Sequence, residues 1–434
     1  MATQGSPENS TESTDAPHEP SVVQCILAVA LCLAFAVGTR LPVARSAALD
    51  FDEVGFLAMI HEADFPKHHT LFLATAKVLG AWAADEYRGF IWLDIVISGL
   101  AMAATWWFLR AVVAPRTAAS AAVVLGVAPV FWSYGAMAGN YTAIPLVGST
   151  LLGIAVRGRF TPRPWHPYAA AAILAWGAGY RQDIGLFWLP VFLVILWRHR
   201  WIAGLQAGLL FTILNLAWFI PMLRDAGGWA TYRAQTGEFA DKAGRMNSVW
   251  QLGLIDASLR YAVKIALALS WTLGIGLLFV PRGLTRLAHR DGGPFLIATL
   301  ILAAIPAMAM HLLVHFGVAG YAFHYVPGLM VLMALGLGRE VMGSVSDSSA
   351  ARRGLALAAT LAALFLFYPT NLDRTDLRGQ FDLACARHTR VGLATKPPMR
   401  DIDLWRTTNS QRLPENTIPR PTEARKSLLQ IWGR

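Results

Sequence analysis

Residues 22–37 read VVQCILAVALCLAFAV, an apolar run interrupted by a single polar side chain, Gln24. A run of this kind matches the roughly 17–25 helical residues that cross a bilayer's hydrocarbon core. Comparable runs recur at 90–113, 118–132, 143–156, 168–179, 184–197, 202–221, 259–280, 294–314, 321–338 and 355–368. Inside lipid, a helix satisfies its own backbone polar groups and an open strand does not. The expected fold is therefore an all-α polytopic membrane protein with about eleven transmembrane helices. Composition agrees: 55% of the 434 residues are hydrophobic and 15% are charged, with a mean hydropathy of +0.44. Soluble domains carry about 25% charge.

The first twenty residues, rich in Ser, Thr, Glu and Pro, are expected to be disordered. Their acidic character and length argue against a cleaved signal peptide, so 22–37 is a retained first span. The transmembrane domain then covers 21–368, and a polar, Pro-rich tail follows from 369 to 434. Three cysteines, with no Cys-x-x-Cys spacing, support neither disulfides nor a structural metal site.

The net charge of +10 has a topological explanation rather than a nucleic-acid one. With the N-terminus in the cytoplasm, the cytoplasmic connections hold Arg110 and Arg116, then Arg157, Arg159 and Arg163, then Arg198 and Arg200. Further on they hold Arg282, Arg286 and Arg290, then Arg339, Arg352 and Arg353. The opposite short connections are almost free of Lys and Arg, as the positive-inside rule requires. Two longer segments face outward, 45–87 and 224–251. Within the first, apolar residues at helical spacing predict two helices lying at the membrane interface.

The outward side also collects the chemistry. Just beyond the first span stands Leu49-Asp50-Phe51-Asp52-Glu53-Val54-Gly55-Phe56, followed by His68-His69-Thr70. A partly desolvated carboxylate there can take a proton from an attacking hydroxyl; the plainer alternative is helix capping. His68 and His69 suit contact with a sugar or phosphate, or simply a solvated loop. Arg181 and Asp183, in Gly177-Ala178-Gly179-Tyr180-Arg181-Gln182-Asp183, lie between two short spans. A guanidinium at that depth is expected to bind an anion, to pair with Asp183 or to snorkel to the headgroups. His311, His315, Tyr321, His324 and Tyr325 surround the last outward turn. His311 and His315 are spaced to share a helix face, which also suits a divalent metal, although no third ligand is evident. Asp94, inside the second span, is a functional candidate by its placement alone. Asn140-Tyr141-Thr142 matches a glycosylation sequon, and its place at a span edge makes the match an incidental one.

This layout resembles the GT-C superfamily of integral-membrane glycosyltransferases. The likeness is to the bacterial branch related to protein O-mannosyltransferases and lipid A aminoarabinose transferase. The matching elements are Asp52-Glu53 after the first span, His68 to Phe72 entering the second interfacial helix, and Gly177 to Asp183 with Leu189-Pro190. The segment from His315 to Tyr321 with Pro327 completes them. The resemblance implies inverting transfer of a sugar from a polyprenyl-phosphate donor to a glycan, lipid or protein acceptor. The reaction would take place on the outer face of a bacterial inner membrane. It implies Asp52 as base, with Asp50 and Glu53 as neighbouring candidates. His68, His69, Arg181, Asp183, His315, Tyr321 and His324 would contact the substrate, Arg181 at the lipid phosphate. A transporter or flippase for a polyprenyl-linked or anionic solute is the alternative, and it predicts ionisable residues spread through the membrane depth. A scaffold subunit is a third.

Overall fold

The computed structural model describes residues 19–41, 55–56, 59–60, 65–66, 68–83, 86–245, 248–338 and 347–367. Asp50, Asp52 and Glu53, the first eighteen residues and the C-terminal tail lie outside the described residues.

The first helix, α1 (Val22–Arg40), begins at a capping box. Ser21 Oγ accepts from the Gln24 N–H at 3.2 Å, and Gln24 Oε1 accepts from the Ser21 N–H at 3.0 Å. Two otherwise unmatched donors are satisfied reciprocally. Then come α2 (Thr70–Ala83), α3 (Glu86–Leu109), α4 (Pro115–Val127), the short α5 (Pro129–Tyr134), α6 (Ala143–Phe160) and α7 (His166–Tyr180). The second half holds α8 (Gln182–Trp197), α9 (Trp201–Asp225), α10 (Trp229–Arg245), α11 (Val249–Leu252), α12 (Leu254–Leu273) and α13 (Val280–Ala288). It closes with α14 (Gly293–Leu313), α15 (Val326–Leu337) and α16 (Asp347–Phe367). Proline opens α4, α5, α7, α13, α14 and α15, at a position where its missing N–H has no partner to lose.

Among the described residues, six helices are long and apolar enough to cross a membrane. Four shorter apolar helices accompany them, α2, α4, α8 and α15. Several expected spans are therefore shorter or more broken than their hydropathy predicted. The expected span 118–132 breaks at Ala128-Pro129, leaving a 13-residue α4. At 1.5 Å per residue such a helix reaches about 20 Å, short of the roughly 30 Å core. The expected span 321–338 starts as a 3-10 turn (Ala319–His324) before α15. The 224–251 connection contains a full helix, α10.

The exterior shows what solvent the fold requires. On α9, Leu205, Leu209, Ile213, Leu216 and Ile220 are exposed and recur every three or four residues, forming one apolar stripe. Val22, Val23, Ile26, Leu27 and Leu31 do the same on α1. Such faces are at home in lipid and not in water.

Inside, helices approach closely where glycine stands. A Cβ on Gly148 of α6 would lie 2.3 Å from the Trp188 ring of α8, and one on Gly283 would lie 1.7 Å from the Leu332 carbonyl oxygen. Close backbone approach through small residues replaces the hydrophobic driving force that lipid removes.

The two ends of the bundle differ. At one end, Arg163 pairs with Glu19, Arg157 donates to the Trp107 carbonyl at 2.7 Å, and Arg290 donates to the Val112 carbonyl. These are the arginines assigned to the cytoplasm. At the other end meet the C-terminus of α1, the N-termini of α3 and α8, and the turn before α15.

Candidate functional site

The helical hairpin of α7 and α8 builds the centre of this second end. Arg181 is the single extended residue between them (φ −147°, ψ 120°). Its N–H donates to the Gly177 carbonyl at 2.7 Å, and its own carbonyl accepts from the Ile184 N–H at 3.1 Å. The glycines preceding it are packing requirements. A Cβ on Gly177 would meet Ile184 and Val147 at 2.8–2.9 Å, and one on Gly179 would meet Leu71 at 2.5 Å. The hairpin can close only around bare backbone there.

Closing it carries Arg181 into the interior, where it is 3% exposed. Its Nε and Nη2 donate to the two oxygens of Asp183, both at 3.0 Å, and Nη1 donates to Asn140 Oδ1. The guanidinium lies 4.0 Å from the Tyr141 ring centroid and 5.4 Å from that of Tyr321. Planar charge, a forked carboxylate and aromatic faces together hold the cation that lipid would otherwise exclude. Asp183 is shared, because His324 Nε2 lies 3.5 Å from its Oδ2.

Around this pair the turn before α15 supplies a histidine and tyrosine wall. His311 Nδ1 is 2.8 Å from the Tyr325 hydroxyl, and the His311 ring stands 5.3 Å from Tyr321 and 5.9 Å from His324. Phe187 packs edge-on against both histidines. The expected helix face shared by His311 and His315 does not form. Helix α14 ends at Leu313, and His315 follows in the turn, its ring 6.2 Å from Tyr321. Among the described residues, no three His, Cys, Asp or Glu side chains are grouped to hold a metal ion.

On the opposite side His69 takes a left-handed backbone (φ +53°), and its N–H points at Gln182 Oε1, 3.5 Å away. Its ring meets Phe56 edge-on at 5.6 Å, and Phe56 continues into Phe72, Phe90 and Tyr180. Burial, reinforced by the Arg181 charge, pushes the His69 imidazole down to about 3. It is a neutral hydrogen-bonding group rather than a second cation. His68 is half-buried beside it.

The structure thus brings His69, Arg181, Asp183, Tyr321 and His324 together, with His315 at the edge. It also ties in two residues whose partners the sequence left open, Asn140 and Asp94. Asn140 is fully buried and bonded, so its sequon is no glycan acceptor in this fold. Its backbone is left-handed (φ +46°), a conformation asparagine tolerates better than most residues. Asp94 holds this loop in place. Its Oδ2 accepts from the N–H groups of Gly139 (3.0 Å) and Asn140 (3.4 Å), and its Oδ1 accepts from the Thr142 hydroxyl (2.9 Å). A relay of contacts therefore runs from Asp94 through Asn140 to Arg181, Asp183 and His324. Replacing Asp94 by Ala is expected to lower stability by about 2–4 kcal/mol, because buried donors lose an ionised acceptor. Asp94→Asn, which keeps one acceptor oxygen, should lose less. Thermal unfolding of the purified variants in detergent measures both, and an unchanged midpoint for Asp94→Ala would contradict the assigned role.

No protein-family model and no curated protein matches the chain. Solved structures do. ArnT from Cupriavidus metallidurans bound to undecaprenyl phosphate superposes with a TM-score of 0.55 at 15% identity, covering 90% of this chain and 73% of that one. ArnT from the same organism in the apo state gives 0.52 at 14% identity, covering 89% and 72%. The expected likeness is met at the level of fold: over about nine-tenths of its length the chain folds like ArnT.

Proposed function

We propose that the protein is a membrane glycosyltransferase that moves a sugar from a polyprenyl-phosphate donor to an acceptor hydroxyl on the outer face of a bacterial inner membrane. The observation that carries this reading is the ArnT-like fold over nine-tenths of the chain, with one polar site gathered at one end of the bundle. ArnT itself was solved with undecaprenyl phosphate. The segregation of arginines to the opposite end supports a cytoplasmic N-terminus and a site facing outward. About eleven spans remain the count that this topology requires.

In the proposed reaction the acceptor hydroxyl gives its proton to Asp52 while its oxygen bonds to the anomeric carbon. The bond from that carbon to the phosphate oxygen breaks, and polyprenyl phosphate leaves with inverted configuration at the sugar. Asp50 and Glu53 are the neighbouring carboxylates. Arg181 retains two of its five N–H donors outside the bonds to Asp183 and Asn140. Those two donors can meet the leaving phosphate. His68, His69, His315, Tyr321 and His324 line the sugar side. Phe56, anchored against His69, stands four residues after Asp52, and four residues of chain span at most about 14 Å.

The test is reconstitution in lipid vesicles with a polyprenyl-phosphate-linked sugar and mass spectrometry of the lipid. A transferase releases polyprenyl phosphate only when an acceptor is present. Recovery of the intact donor on the opposite leaflet, with no release, would establish the flippase reading instead.

A further inference from the structure

The arginine-rich end contains one cation that does not behave as a topology marker. Arginines that serve only as cytoplasmic anchors extend into water or headgroups, as Arg159 and Arg163 do. Arg157 is 2% exposed. Its guanidinium carbon lies over the Trp107 ring, 4.0 Å from the centroid, and Nη2 donates to the Trp107 carbonyl. Nε and Nη1 are buried with no protein partner. The charges acting on it are those of Arg110, which repels it, and Glu19, whose carboxylate is held by Arg163. A buried guanidinium with two unmatched donors and no carboxylate of its own is among the costliest arrangements in a protein.

Two histidines adjoin the same turn of α6. The position of a Cβ on Gly158, the next residue, is 3.5 Å from His166 Nδ1 and 3.9 Å from His199 Nε2. His166 is fully buried, and its Nδ1 accepts from the Arg163 N–H at 3.3 Å, which places the ring proton on Nε2. That Nε2 and His199 Nε2 are likewise buried without a protein partner. Four donor-capable ring or guanidinium atoms therefore gather around this stretch of α6, beside a further arginine, and among the described residues the carboxylate that acts on Arg157 and His166 is Glu19, which Arg163 holds.

We propose that Arg157, Arg110, His166 and His199 form a phosphate-binding site at the arginine-rich end, which takes the phosphoryl group of an anionic lipid headgroup or of free inorganic phosphate. The chemistry is shared by the two sources: a tetrahedral anion accepts from the guanidinium fork and from imidazole N–H groups at once. This site lies at the opposite end from Asp94, Arg181 and His324, and it stands or falls independently of the transferase reading.

The experiment uses the full-length protein, delipidated in neutral detergent. Thermal unfolding and native mass spectrometry are read with phosphatidylglycerol, with phosphatidylcholine and with millimolar inorganic phosphate. Phosphatidylglycerol is expected to bind and to raise the midpoint more than phosphatidylcholine does, with R157Q binding it about tenfold more weakly. Equal protection by inorganic phosphate, also lost in R157Q, identifies free phosphate as the source. If R157Q does not fold, the less deeply buried pair R110Q/H199Q carries the test and should show the same weakening. Wild-type affinity in the folded variant, or no response to either anion, overturns the site; bound water would then be the partner of these atoms.

Discussion

Asp52→Asn is expected to lower sugar transfer by at least about a hundredfold while leaving the protein folded in the membrane. A positioned general base contributes roughly 10²–10⁴-fold, and the amide keeps the carboxylate's shape without its ability to take a proton. The proposed base comes from a segment whose described neighbours on either side are held in the bundle. Upstream, Arg40 at the end of α1 is fully buried. It donates to the Gly126 carbonyl at 3.1 Å and occupies the space a Cβ on Gly135 would need. Downstream, Phe56 is packed between His69, Phe72 and Phe90. Both anchors belong to the end of the bundle where the Arg181 network gathers. Asp50→Asn and Glu53→Gln should retain transfer within about tenfold of wild type, since neither would hold the proton in flight. Rates are read as polyprenyl phosphate released from a lipid-linked sugar, with thermal unfolding as the control for folding. Wild-type turnover by Asp52→Asn would sink the assignment, and its transfer to Asp50→Asn would move the base by two residues.

Much of this architecture was legible in the sequence because lipid makes simple demands. An apolar run must be helical, and a free arginine must reach the aqueous side where positive charge is retained. Among the described residues, Arg110, Arg157, Arg163 and Arg290 of the expected set do collect at one end of the fold. Pairing across the bundle was far less legible. Asp94 and Asn140 are 46 residues apart, and no periodicity announces that a carboxylate in one helix will cap the backbone of a distant loop. Asn140 therefore read as nothing more than an incidental sequon match, when its left-handed backbone and its bond to Arg181 are what the fold uses. The His311–His315 spacing failed for a local reason: i and i+4 share a face only while the helix continues, and α14 stops between them. The broken third span shows the same limit, since hydropathy runs straight through Ala128-Pro129 although the proline cannot continue the helix. For Arg181, anion binding, pairing with Asp183 and snorkelling to headgroups were open, and the structure contains the pair with Asp183.

That pairing leads to the largest expected effect on stability. Arg181→Met should destabilise the protein by about 3–5 kcal/mol, because it leaves the Asp183 carboxylate and Asn140 Oδ1 in the interior without their donor. Asp183→Leu should cost a similar amount by leaving the guanidinium against Tyr141 and Tyr321 with its charge uncompensated. The double variant Arg181→Met/Asp183→Leu removes both charges and should recover much of either loss, since replacing a buried ion pair by apolar groups is often near neutral. Denaturant or thermal unfolding of the three proteins in one detergent closes the double-mutant cycle, and additive losses would show that the two side chains act separately. The same three proteins separate the two tasks assigned to Arg181. If it only supports the hairpin, the stable double variant regains transfer. If its remaining N–H groups also meet the leaving phosphate, the double variant is folded and still inactive, because an apolar side chain at that position cannot stabilise the developing charge. Stability restored without turnover is the expected result.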